Sequence, residues 1–245
     1  MSTEDNKKQD LTDVVATVDL FNINKHLDGL SRFIKACNTP MTISIQGSWG
    51  SGKTSIMKMV EHDIEKDVIP VFFNTWQFSQ FELGNSLAFS MIKVFLNKLQ
   101  DDDSFIKHFT SVCSNALTTA LKSVSIYNIN VDLKKCTEKT ADDNYAEQIE
   151  TLHQHFQEVV DRACEREHKD RVVIFVDDLD RLVPSKAVEL LEVLKLFLDC
   201  KQCVFVLAID YEVVIRGAIK KYGFASYNSE KIDEKERNRE YEKGK

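Results

Sequence analysis

Proline and glycine are both scarce. The 245-residue chain holds 3 prolines and 8 glycines, against averages of about 5% and 7%, which excludes collagen-like and Pro/Gly-rich low-complexity architectures. Basic residues are the minority charge, 32 Lys and Arg against 39 Asp and Glu for a net −7. There is thus no bulk attraction for phosphate backbones, and nucleic acid is not expected as the main ligand. No apolar run approaches the 18 or more residues that mark a membrane-spanning helix; the longest uncharged stretch near mid-chain, residues 109–121, is rich in Ser and Thr. The first thirteen residues carry Glu4, Asp5, Lys7, Lys8, Asp10 and Asp13 and lack the apolar centre of a secretory signal. A soluble cytoplasmic protein is expected. Its six cysteines, Cys37, Cys113, Cys136, Cys164, Cys200 and Cys203, are then reduced thiols rather than a disulfide framework. Cys200 and Cys203 form one CxxC with no second ligand pair at zinc-site spacing, so they read as small apolar residues at a helix-to-strand junction. The six histidines show no HExxH or triad-like arrangement. His153 and His155 would fall on different faces of a helix, and no chemistry is assigned to them.

What is present is ordinary globular material, 43% apolar and 29% charged, in an alternation of strand and helix periods. A helical lead-in spans residues 14–38 and stops at Thr39-Pro40. Met41-Thr-Ile-Ser-Ile-Gln46 alternates like a strand, and helical spacing resumes over Ser55–Glu65. Val68–Phe73 reads as a buried strand ending at Asn74, followed by a helix from about Leu83 to Leu99. Residues 101–144 turn polar and read as an insertion, with a weak alternating stretch at 124–133. Helical spacing returns at Ile149–Ala163, ahead of Val172-Val-Ile-Phe-Val176, a continuous apolar run of the kind found in parallel strands covered on both faces. A helix over Ser185–Leu198 separates it from a further strand, Val204–Ile209, after which Tyr211–Arg216 is again helical. Strand alternating with helix predicts an α/β fold built on a doubly wound parallel sheet. The organisation expected is a flexible N-terminus at 1–13, one domain over 14–228 containing the insertion, and a charged tail at 229–245 with six acidic and six basic residues among seventeen.

Three of the eight glycines fall within six residues. Gly47-Ser48-Trp49-Gly50-Ser51-Gly52-Lys53-Thr54 matches G-x-x-x-x-G-K-[ST] and follows a strand and opens a helix, the context that makes the motif specific. Such a loop curls so that successive N–H groups and a helix N-terminus face an anion. A magnesium-bound triphosphate is the expected guest, cradled by residues 47–55 including Ser55. Lys53 would bridge the β- and γ-phosphates and Thr54 would contribute its hydroxyl to the Mg²⁺ shell. The other half of such a site is an acid at the end of a neighbouring strand. Asp177 fits as the metal-holding acid, and Asp178 as base or orienter for the attacking water. The alternative for Asp177, Asp178 and Asp180 is a solvated turn. Asp180 and Arg181 pair with each other or cap the next helix; alternatively Arg181 reaches a γ-phosphate, of this or a neighbouring subunit. Asp210 either senses the γ-phosphate through water or caps a helix. Asn74-Thr-Trp-Gln-Phe78 is either a buried turn or supplies an Asn contact to water or phosphate. Trp49 packs against the insertion or stacks on a base.

Taken in order, Gln46-Gly-Ser-Trp-Gly-Ser-Gly-Lys-Thr-Ser55, Phe73-Asn-Thr-Trp-Gln-Phe78, Val176-Asp-Asp-Leu-Asp-Arg181 with Pro184, and Ala208-Ile-Asp210 resemble the successive motifs of the KAP family of P-loop NTPases over about residues 19–222. The resemblance implies a sheet of the additional-strand division, ATP binding with Mg²⁺, slow hydrolysis and a switch-like role. Relatives include neuronal membrane scaffolds and bacterial proteins tied to phage exclusion, so anti-phage defence or signalling is the implied setting, with a protein partner or self-association. Many relatives insert transmembrane helices where this chain has the polar residues 99–145, and membrane spanning is not carried over. Relatives also continue into a further core strand where this chain ends in its charged tail; in the related sheet order that strand pairs with Met41–Gln46, whose edge is therefore expected to be bare. The expectation is an ATP-hydrolysing switch. The alternatives are an ATP-binding interaction module with negligible turnover, a small-molecule phosphotransferase and a nucleic-acid-dependent ATPase.

Overall fold

Four apolar runs form the centre of the molecule: β1 (Met41–Gln46), β2 (Ile69–Asn74), β3 (Val172–Asp177) and β4 (Cys203–Ile209). They pair in parallel in the order β1-β4-β3-β2. The computed structural model describes residues 22–79, 87–99, 142–195 and 197–222. The expected N-terminal segment, nearly all of the expected insertion and the charged tail lie outside the described residues. β3 is buried at every position and β4 at all but the last. Covered on both faces, these two strands have no solvent side on which to place polar residues. β1 alternates instead, with Thr42, Ser44 and Gln46 exposed. Among the described residues it has one strand neighbour, β4.

Helices cover both faces: α1 (Asn24–Ala36), α2 (Lys53–Ile64), α3 (Thr75–Ser79), α4 (Leu87–Leu99), α5 (Asp142–Glu167), α6 (Pro184–Lys195) and α7 (Tyr211–Tyr222), with a 3₁₀ turn at Leu179–Arg181. On one face Leu27 and Ile34 of α1 and Met57, Val60 and Ile64 of α2 pack on Val173, Phe175, Val204 and Val206. On the other, α4, α5 and α6 bring Phe95, Phe156 and Leu194 against Phe73, Ile174, Val176 and Phe205. Phe156 lies between Phe95 and Phe197, with ring centroids at 6.3 and 4.8 Å. Each such fully buried side chain contributes roughly 1.5–3 kcal/mol. The expected helix over 185–198 ends earlier, at Lys195, because residues 197–199 turn to enter β4. Among the described residues no helix is long and apolar enough to cross a membrane.

Two cations ahead of β3 fasten helix ends to the sheet. Arg171 Nη1 donates to the carbonyls of Ile34 at 2.8 Å and Cys37 at 3.0 Å. Lys169 Nζ donates to those of Glu65 at 2.8 Å and Val68 at 2.7 Å. The carbonyls of Ile34, Cys37 and Glu65, at the C-terminal ends of α1 and α2, carry partial negative charge, and that of Val68 leads into β2, so one short loop anchors both helices that flank the glycine loop. On the far side, α7 crosses α6 at Gly217. A Cβ there would lie 2.2 Å from the Pro184 carbonyl oxygen, and Glu192 of α6 binds both Lys221 and Tyr222.

Candidate functional site

Because all four strands run parallel, their carboxyl ends share one edge, where ligands gather in open α/β sheets. Gly47 follows β1, Asn74 ends β2, Asp177 ends β3 and Asp210 follows β4. β4 lies between β1 and β3, so the phosphate-type loop and Asp177 are two strands apart. The first turn of α2 nevertheless comes close to Asp177, whose pKa the Thr54 hydroxyl lowers.

The loop from Gly47 to Gly52 depends on its glycines for backbone geometry. Gly50 and Gly52 have φ of 80° and 87°, in the left-handed region that costs L-residues strain. Gly47 sits so close to the loop's far side that a Cβ would lie 2.3 Å from Ser51 Oγ. Ser51 N donates to Ser48 O at 3.2 Å, closing the turn. Gly52 is the N-cap of α2 and no side chain caps it, which leaves first-turn N–H groups for an external acceptor. Ser48, Trp49, Gly50, Ser51 and Gly52 are exposed, Trp49 at 71%; Ser55 follows in the first turn of α2.

Lys53 is buried, and its ammonium donates to Gly47 O at 2.9 Å, Ser48 O at 3.1 Å and Asp180 Oδ2 at 2.8 Å. The Asp180 side chain is itself only 5% exposed. This corrects the expectation for Asp180 and Arg181, which neither pair with each other nor cap α6. The 3₁₀ turn, at three residues per turn, brings positions 178 and 181 to the same side. Arg181 Nε therefore meets Asp178 Oδ1 at 2.6 Å, and Asp180 faces Lys53. Asn74, level with Asp177 in the β2–β3 register, donates from Nδ2 to Asp178 Oδ2 at 2.7 Å and accepts Gln77 N at 3.1 Å through Oδ1. Asp178 is buried, with φ of 59°, a left-handed conformation that Asp tolerates better than most residues.

Asp177 is 1% exposed. Its Oδ1 accepts Asp178 N at 2.8 Å, while Oδ2 has no hydrogen-bond partner. Burial raises its pKa above the ordinary carboxylate value. The Thr54 hydroxyl and the Asp178 N–H oppose the rise, and the nearby charges of Asp178 and Asp180 add to it. Of the three aspartates, Asp180 has Lys53 and Asp178 has Arg181 as cationic partner; Asp177 has only the Asp178 backbone N–H. An orphaned buried carboxylate oxygen beside a threonine hydroxyl is the hard, oxygen-only donor set that suits Mg²⁺.

The glycine loop, Lys53, Asn74, Asp177, Asp178, Asp180 and Arg181 thus gather at one edge of the sheet, whereas Asp210 is placed as a helix cap: its Oδ1 accepts Glu212 N at 3.0 Å and its carbonyl accepts Val214 N, the bonding of a helix N-cap. Residue spacing missed two partnerships, Asp180 with Lys53 and Asn74 with Asp178. The only available signals were an Asn closing a buried strand and a third acid two positions after the pair, and neither specifies a partner.

A family model described as the KAP family P-loop domain matches residues 23–235. No curated protein matches the chain.

Proposed function

The chain belongs to the KAP family of P-loop domains, and from that premise we propose that it is a Mg²⁺-dependent ATP switch that hydrolyses its nucleotide. Family membership supports nucleotide binding. The observation that carries the finer reading is the unpartnered Oδ2 of buried Asp177 beside Thr54. Thr54 and Asp177 would hold the magnesium, Asp177 directly or through water; when bound, the ion neutralises charge building on the β- and γ-phosphate oxygens. The N–H groups of residues 47–55 bind and orient the phosphates. Lys53 exchanges Asp180 for a phosphate oxygen and places its charge at the β–γ bridge. Asp178, fixed by Asn74 and Arg181, accepts a hydrogen bond from the attacking water and takes its proton. ATP is favoured over GTP by the family resemblance, and the sequence contains no guanine-reading Asn-Lys-x-Asp element.

Phosphate release tests the assignment. Lys53→Ala is expected to abolish it and Asp178→Asn to reduce it by about 10²-fold or more, the range for losing a positioned general base; undiminished release in both variants would end it. A second reading, nucleotide binding that only orders the loops for a partner, draws support from β1, which among the described residues is paired on one side only. Tight Mg·ATP binding with no turnover in the wild-type chain would select it.

A further inference from the structure

Cys200 of the CxxC pair and His153, both without a role in the sequence reading, meet at the end of the sheet opposite the glycine loop. Cys200 lies in the turn before β4 and His153 on α5. His153 Nε2 is 2.8 Å from Asp199 Oδ1 and 3.5 Å from Cys200 Sγ. These three ligand atoms all lie within 4.8 Å of one another. We propose that His153, Asp199 and Cys200 form a zinc-type metal site, with a fourth position open to water, that ties α5 to the turn between α6 and β4.

A single ring nitrogen carries either one proton or one lone pair, so it cannot make a linear hydrogen bond to both a carboxylate and a thiol lying in different directions. A cation placed between the three atoms satisfies all of them. The separations suit one: Zn–S of about 2.3 Å and Zn–N of about 2.0–2.1 Å span roughly 3.5 Å at a tetrahedral angle, the observed sulfur–nitrogen distance. The Asp199 side chain is 75% exposed and free to open its shorter contact by the few tenths of an ångström that tetrahedral bonding asks.

The donor set of one imidazole, one carboxylate and one thiolate is chemically selective. Thiolate with imidazole favours Zn²⁺ over the hard, oxygen-seeking Mg²⁺. One dication with a thiolate and a carboxylate is also electrically neutral. Binding forms the metal–sulfur bond and releases the Cys200 thiol proton to solvent, with no change of oxidation state.

The scaffold is already set. Gln157, one turn beyond His153 on α5, accepts Lys201 N at 2.7 Å and donates to Lys201 O at 3.4 Å, so both sides of the site are pinned in register. Cys203 is fully buried as the first residue of β4, and with Cys164 it lies outside the three-ligand group.

Titrating the reduced, metal-free full chain with Co²⁺ tests the site, because thiolate-bound cobalt shows a charge-transfer band in the near ultraviolet. One equivalent is expected to bind with that band and to be displaced by Zn²⁺. Cys200→Ser should abolish the band, and His153→Gln should weaken binding by about tenfold or more. Asp199→Asn, at an exposed position that cannot unfold the chain, should weaken binding while keeping the band. Lys53→Ala and Cys164→Ser should leave both affinity and spectrum unchanged, separating this site from the nucleotide site. Absence of the thiolate band in the wild-type chain, its survival in Cys200→Ser, or wild-type affinity in both His153→Gln and Asp199→Asn would each overturn the proposal.

Discussion

Lys53 has three N–H donors, and all three are engaged: two by carbonyls of its own loop and one by Asp180. A phosphate oxygen can be bound only by exchange, and the partner it most resembles is the Asp180 carboxylate. At the proposed site Asp180 would therefore compete with the nucleotide for Lys53. Asp180→Asn is expected to tighten Mg·ATP binding about tenfold, or ~1.4 kcal/mol, close to the lower end of the range for a hydrogen bond to a charged group. In a Lys53→Ala background the same substitution should have no such effect, which a double-mutant cycle by calorimetric titration would reveal. Asp177 supplies a second test. Its folded-state pKa is raised, so its contribution to stability is complete below the unfolded-state value and is lost as pH rises through the folded-state value. Above that value the ligand-free fold carries an ionised carboxylate with one unpartnered oxygen. Asp177→Asn should raise the ligand-free melting temperature by about 2–4 °C, the equivalent of roughly 1 kcal/mol in a domain of this size, while removing magnesium-dependent nucleotide binding. Scanning calorimetry at pH 7 and again near pH 4 checks the sign, because the gain should shrink on acidification.

At the scale of elements, helix ends and crossings carry information that periodicity does not. Arg171→Ala would leave the carbonyls of Ile34 and Cys37 without their donor, and a loss of about 1.5–3 kcal/mol is expected in a urea melt. Gly217→Ala forces a Cβ onto the Pro184 backbone; a cost of about 1–3 kcal/mol follows from overpacking, with α7 displaced from α6. The four strands were legible because β1 alternates and β3 and β4 read as unbroken apolar runs, and burial bears out both patterns. The glycine loop was legible because its chemistry is local, eight consecutive residues with positive φ at two of the glycines. Arg171, Lys169 and Gly217 were silent in the sequence, since each acts on an element distant along the chain. The same is true of His153, which meets Cys200 from 47 positions away, and of Asp180, whose partner is 127 positions distant.

For the whole molecule, the order β1-β4-β3-β2 determines how the two halves of the site cooperate. β4 separates the glycine loop from Asp177, so a ligand held at the proposed site by both would brace three strands and the first turn of α2 together. Mg·ATP at about 100 times its dissociation constant should stabilise the fold by ~2.7 kcal/mol, seen as a rise of roughly 5–10 °C in melting temperature. The central claim is that this edge of the sheet grips a magnesium-bound nucleoside triphosphate through Lys53, Thr54 and Asp177. Calorimetric titration of the full chain with ATP, with and without Mg²⁺, tests it most directly. The account predicts one site per chain that weakens at least about 100-fold, or ~2.7 kcal/mol, in Lys53→Ala, and that loses its magnesium dependence in Asp177→Asn. Equal affinity in wild type and Lys53→Ala, or the same magnesium dependence with and without the Asp177 carboxylate, would contradict it.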